Sequence, residues 1–167
     1  MPKRISFDSK AAGEWKPAPQ LYQDRFPTGL QWDVFKMLCG DFITNGMSRD
    51  VFISAVDKSC VVKVETQIDY FQNVEEWETW KEVEDTEFAK WFAPCCRISQ
   101  VGMLLIQKRT SRPAENQWPD RLPAFLTDTK KSNYGMFEGR LVCHDYGTNL
   151  LRTVGMTKRM RKVVWSP

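Results

Sequence analysis

Residues 128–147 constrain this chain more than any other stretch of it. Two polar motifs, Asp128-Thr-Lys130-Lys-Ser-Asn133 and Asp145-Tyr146-Gly147, flank a segment with the turn chemistry of a β-hairpin. Tyr134-Gly-Met-Phe137 and Arg140-Leu-Val-Cys143 read as its strands, and Glu138-Gly139 as the two-residue turn between them. A hairpin returns the chain to where it started, so Asn133 and Asp145 are expected side by side at its open end. An amide carbonyl beside a carboxylate offers two hard oxygen ligands to a divalent cation. Its other coordination positions then remain for phosphate oxygens and water, as chemistry on a triphosphate requires.

The order of these motifs resembles the D-x-K-x-x-N catalytic loop and the D-F-G loop of Ser/Thr protein kinases, with Tyr146 in place of the phenylalanine. The resemblance implies that Asp128 orients or deprotonates an acceptor hydroxyl and that Lys130 neutralises charge on the transferred phosphoryl group. Asn133 and Asp145 would hold Mg2+. It also implies an upstream lobe that binds ATP. Ile43-Thr44-Asn45-Gly46-Met47-Ser48-Arg49-Asp50-Val51 resembles a kinase glycine-rich loop that keeps only the middle glycine. Gly46 would permit close backbone approach to phosphate. Thr44 and Arg49 stand where the family has its other glycines, and Arg49 is a candidate for direct phosphate contact. Ser59-Cys-Val-Val-Lys63-Val-Glu65 reads as a buried strand and resembles the V-A-I-K strand. Alternation places Val61 and Lys63 on one face. Val61 and Val51 would then pack on adenine, while Lys63 holds the α and β phosphates.

Gln72 to Val83 has helical spacing, with an Asn cap and apolar residues at every third position, so Val74, Trp77, Trp80 and Val83 are expected to be its packed stripe. Glu76 lies beside that stripe and one turn before Trp80. On that position it is chosen over Glu75, Glu78 and Glu82 as the glutamate that the resemblance pairs with Lys63. The competing reading is a solvated glutamate face. Cys96–Gln100 and Met103–Gln107 read as two strands around Val101-Gly102, completing an antiparallel sheet, and Gln107-Lys108-Arg109-Thr110 falls at the position of the kinase hinge.

The expected fold class is therefore α+β: a kinase-like N-lobe of five antiparallel strands and one helix, joined to a truncated C-lobe remnant with a β-hairpin. An extended arm over 1–35, a core over 36–147 and a short basic tail over 148–167 are the expected divisions. Tyr22, Phe26, Leu30 and Trp32 are the residues that could pin the arm to the body. Departures from the family are large. Fewer than twenty residues separate the hinge segment from Asp128, and only twenty follow Gly147, too few for a peptide-docking helical platform. Leu126-Thr127-Asp128 replaces His-Arg-Asp, removing the usual braces of the catalytic loop. Gly135 falls where a large apolar residue forms the floor under adenine, so Met136 or a neighbour must substitute.

Composition narrows the function classes. A chain of 167 residues with 42% apolar content suits one compact domain, and no apolar run approaches membrane-spanning length. With no signal-peptide core, a cytoplasmic protein with reduced thiols is expected, since its five cysteines match neither a disulfide framework nor a zinc pair. The single histidine, His144, lacks the companions of a zinc site or a Ser-His-Asp hydrolase. Nucleic acid is disfavoured as a partner. The tail Thr157–Trp165 is basic, but the net charge is only +3, from 24 basic against 21 acidic residues, so the tail reads as a solvated helix end or a protein-docking segment. A protein substrate or protein partner is expected, with a second copy of the chain as one way to complete the missing platform. Brevity suits a phage or other mobile element acting in a host cytoplasm. The alternative to phosphotransfer is a pseudokinase-like module that docks to or inhibits another protein.

Overall fold

Alternating residues between 39 and 65 generate two antiparallel strand pairs, and most of the sheet grows from them. The computed structural model describes residues 7–8, 16–17, 28–67 and 70–166. In chain order the elements are β1 (Phe7–Asp8), β2 (Lys16–Pro17), α1 (Thr28–Leu38), β3 (Cys39–Asn45), β4 (Arg49–Ser54), β5 (Cys60–Glu65) and α2 (Gln72–Val83). Then come β6 (Cys95–Ile98), β7 (Leu104–Lys108), β8 (Arg121–Pro123), β9 (Tyr134–Phe137), β10 (Arg140–Cys143), α3 (Leu151–Val154) and β11 (Met160–Lys162). The class is α+β, with a five-stranded antiparallel sheet in the order β3-β4-β5-β7-β6 and few helices. Among the described residues no helix is long and apolar enough to cross a membrane. The chain forms two compact units, Met1–Asn73 with Cys96–Gln107 and Val74–Cys95 with Lys108–Pro167.

In the first unit, Val51 pairs with Lys63 and Ile53 with Val61, so these four residues share one face of the sheet. Phe52, Val62 and Val64 occupy the other face and form a buried cluster with Cys39. Trp32, Phe35 and Leu38 of α1 pack against this cluster, and the Phe35 ring meets Phe52 edge-on at 5.3 Å. Burying a side chain such as Phe52 or Val62 contributes about 1.5–3 kcal/mol, which favours folding α1 onto the sheet. The expectation of an extended arm to residue 35 is therefore corrected over 28–35. Trp32, Phe35 and Leu38 are only two three-residue steps apart, about 120° around a helix, so they stay on one side of it. Tyr22, Phe26 and the Leu30 side chain lie outside the described residues.

The second unit contains the hairpin expected from the sequence, with Tyr134 opposite Cys143 and Phe137 opposite Arg140. Glu138 and Gly139 have φ of 48° and 76°, the pair of positive values that a two-residue type I′ turn demands. Helix α2 has the expected bounds but buries a different face. Asn73, Glu76, Thr79 and Val83 are buried, whereas Val74, Trp77 and Trp80 are only half-buried. A residue at every third position precesses by about 60° per step around a helix of 3.6 residues per turn. Val74 and Val83 consequently lie on opposite sides, and the expected stripe cannot be one face.

The tail is also corrected. Residues 160–162 are not a helix end but strand β11, which pairs with β8 through Met160–Pro123, Arg161–Leu122 and Lys162–Arg121. Trp165 packs edge-on to Trp118 at 4.8 Å and to Tyr134 at 4.9 Å, and its Nε1 donates to the Pro119 carbonyl. All five cysteines are free thiols; Cys96 is exposed and the other four are buried.

Candidate functional site

The first unit presents Val51, Val61 and Lys63 together on the sheet face opposite the α1 cluster. Lys63 is 3% exposed, an unusual setting for an ammonium group, which burial penalises unless it is compensated. Gly46 sits in the β3–β4 turn, where its N–H donates to the Arg49 carbonyl at 2.7 Å. A Cβ built there would meet only the Arg49 carbonyl oxygen at 3.7 Å, an ordinary contact. The turn itself therefore does not require glycine. Arg49, the candidate for a phosphate contact, is held within the first unit. It is buried, stands opposite Glu65 in the ladder, and its Nη1 reaches Asn73 Oδ1 at 3.5 Å. Glu65 in turn caps the start of α2, its Oε2 accepting the Asn73 N–H at 3.0 Å. The opposite charge of Glu65 and the amide of Asn73 draw the guanidinium into the fold.

In the second unit the hairpin brings Asn133 to Asp145. The Asn133 carbonyl accepts the N–H of His144 at 2.9 Å and of Asp145 at 3.4 Å, so the backbones of the two candidate metal ligands are in contact. Among the described residues there is no group of three or more His, Cys, Asp and Glu able to hold a metal. One carboxylate and one amide carbonyl are donor types that Mg2+ accepts when it keeps most of its positions for water and phosphate. Asp128 and Lys130 lie next to this pair. Asp128 Oδ1 accepts the Lys130 N–H at 3.2 Å, a local Asx turn, and the Lys130 carbonyl accepts the Asn133 N–H at 3.0 Å.

Glu76 is fully buried, unlike Glu75, Glu78 and Glu82, which converge on Arg152 at the surface. Its Oε1 accepts the Tyr146 N–H at 3.1 Å, tying α2 to the Asp145-Tyr146-Gly147 loop. The Tyr146 ring is fully buried and lies 4.9 Å from Phe92. Its hydroxyl donates to the Ala93 carbonyl at 2.8 Å and accepts from the Cys95 thiol at 3.0 Å, so a tyrosine is accommodated where the kinase pattern has phenylalanine.

Two contributors escaped the sequence reading. Asn149 donates to the Tyr146 carbonyl at 2.7 Å and to Thr79 Oγ1 at 3.2 Å, a second tie between loop and helix. Its Oδ1 accepts the Leu151 N–H at 2.8 Å, and an Asn two residues before a short helical run was the available signal. Thr110 is the other. A Cβ on Gly135 would lie 2.5 Å from Thr110 Cβ, and Ser111 pairs with Met136 through two backbone hydrogen bonds. The segment at 110–111, bridged to Met136, thus fills the space over Gly135. Thr110 Oγ1 also meets His144 Nδ1 at 2.9 Å, while His144 Nε2 lies 2.8 Å from the Ser132 carbonyl. A carbonyl only accepts, so Nε2 carries the proton, and both ring nitrogens serve the fold.

Of the expected site residues, the second unit joins Asn133 to Asp145 and Asp128 to Lys130, with Glu76 bonded to Tyr146. Gly46, Val51, Val61 and Lys63 belong to the first unit. No protein-family model matches the chain, and no curated protein matches it.

Proposed function

We propose that the chain is a reduced protein-kinase-like protein that binds Mg-ATP and transfers the γ-phosphoryl group to a Ser/Thr hydroxyl. The observation that carries this reading is the buried Glu76 carboxylate accepting the Tyr146 N–H at 3.1 Å. A carboxylate inside a protein is costly to desolvate, so its burial behind the Asp145 loop supports a charged site there. Its tie to the Asp145 loop, beside Asn133, would hold that loop in place for phosphate handling. The five-stranded sheet is read as the framework of the N-lobe, and the hairpin with the Asp145 loop as the C-lobe remnant.

Lys63 is assigned to the α and β phosphates, Val51 and Val61 to the adenine ring, and Gly46 to close passage of the backbone over phosphate. Asn133 and Asp145 would hold Mg2+, which would offset the negative charge of the phosphates. Asp128 orients the acceptor hydroxyl and takes its proton, and Lys130 faces the charge of the transferred group. Glu76 fixes the loop that carries Asp145.

Calorimetry of ATP binding with and without Mg2+, on the native chain and on Asp145→Ala, tests the reading. Mg2+-dependent binding that disappears in the variant is the expected result. Transfer of label from γ-labelled ATP to a Ser/Thr peptide mixture then follows. Absence of binding at millimolar ATP sinks the proposal, and binding without transfer turns it into a nucleotide-binding docking module.

A further inference from the structure

We infer that the C-terminal segment Arg161–Ser166 is a clamp that positions the Asp128–Lys130 loop, with Arg161 as its positioning residue. The inference rests on the phosphotransfer reading for its role, and on geometry for its existence. Leu126–Thr129 has no regular secondary structure of its own, so its place is set by what bonds to it. Arg161 Nη2 donates to the carbonyls of Leu126 at 2.6 Å and Thr127 at 3.1 Å, and its Nε donates again to Leu126 at 3.1 Å. A planar guanidinium grips the Leu126 carbonyl through two nitrogens at once, Nε and Nη2, which the single nitrogen of an ammonium cannot reproduce.

On the far side of Asp128 the same segment continues the grip. Thr129 Oγ1 donates to the Val164 carbonyl at 2.9 Å, the Ser166 N–H donates to the Thr129 carbonyl at 3.1 Å, and the Lys131 N–H donates to the Ser166 carbonyl at 2.9 Å. Between these anchors, the Asp128 carbonyl accepts the Tyr134 hydroxyl at 2.8 Å. Tyr134 is itself packed edge-on by Trp165 of the same segment at 4.9 Å. Residues 126–129 thus have every carbonyl engaged, three of the four by the tail directly. Sequence order places Leu126-Thr127 where the family has its bracing His-Arg, and the tail supplies a brace from another part of the chain.

The test uses the full chain and compares Arg161→Ala, Arg161→Lys and Thr129→Val. Steady-state transfer from Mg-ATP, amide hydrogen exchange of 126–131 and thermal melting are recorded for each. Arg161→Ala is expected to lower kcat on the order of 10²-fold, as small misplacement of a catalytic group does, with KM for ATP within about twofold. Arg161→Lys recovers part of kcat, and exchange of 126–131 rises while the β9–β10 hairpin stays protected. Full kcat together with unchanged exchange in Arg161→Ala overturns the clamp. Should that variant fail to fold, Thr129→Val, which removes only the Oγ1 bond, must raise exchange of the same amides, and its failure to do so also overturns it. A native chain that transfers no phosphate refutes the phosphotransfer reading and with it the positioning role. The exchange data then separately uphold or refute the clamp.

Discussion

Gly135→Ala is the sharpest packing test of the second unit. An added Cβ would sit 2.5 Å from Thr110 Cβ, nearer still to Thr110 Oγ1, and 3.0 Å from the Ser111 carbonyl. Rotating the Thr110 side chain cannot relieve this, because its Cβ is fixed to the backbone. The segment at 110–111 must move instead. Overpacking of this kind costs about 1–3 kcal/mol. Movement also strains the Ser111 N–H bond to Met136 at 3.0 Å, the return bond at 2.8 Å and the Thr110–His144 contact at 2.9 Å, each worth about 1 kcal/mol. Stiffening of the unfolded chain by alanine returns about 0.4–1 kcal/mol. A net loss of roughly 2–4 kcal/mol follows from these principles, in urea unfolding followed by tryptophan fluorescence. Thr110→Gly removes the opposing Cβ, so the double variant should be more stable than the two single losses summed, by about 1–2 kcal/mol. A Gly135→Ala cost below about 0.5 kcal/mol, or strict additivity of the pair, would falsify the steric argument.

Further outcomes are expected. Tyr146→Phe keeps the ring but abandons the Ala93 carbonyl and the Cys95 thiol, so stability should fall by about 1–2 kcal/mol; a neutral variant shows that the hydroxyl contributes nothing. Burial pushes the Cys39 thiol from 9.0 up to about 12, against the opposing pull of Lys36. A raised folded pKa means that its stabilisation is complete below pH 9.0 and is lost as pH climbs toward about 12, so Cys39→Ala should flatten the stability slope across that window in alkaline titrations. Arg152→Ala breaks three ion pairs, yet Arg152 and its three partners are all solvent-accessible, so the loss should stay within about 1 kcal/mol and shrink in salt; a loss that salt does not alter contradicts the surface assignment. Gly46→Ala should change stability by less than about 0.5 kcal/mol while weakening ATP binding in calorimetry, because the fold leaves room for the methyl and the proposed phosphate does not.

The parts legible in the sequence were those fixed by neighbours along the chain. The β9–β10 hairpin was legible because Glu138-Gly139 specifies a turn with positive φ at both positions, and the bounds of α2 because helical spacing and a polar start mark them. The buried face of α2 was not. It carries Asn73, Glu76 and Thr79, whose burial is compensated by partners such as the Glu65 carboxylate, the Tyr146 N–H and Asn149, all remote in sequence. Hydrophobic pattern alone assigns such a face to solvent. Helix α1 was missed because its apolar residues follow a proline-punctuated segment and gain their meaning only against Phe52 and Val62.

By itself the sequence determined the class of fold, the hairpin and the adjacency of Asn133 to Asp145, because local turn chemistry and alternation act over a few residues. Only the tertiary structure decided which glutamate is buried, why Gly135 has no side chain, and what holds Leu126-Thr127-Asp128. Those answers come from Tyr146, Thr110 and Arg161, each brought by folding from tens of residues away to satisfy a backbone group or fill a space that no local pattern records.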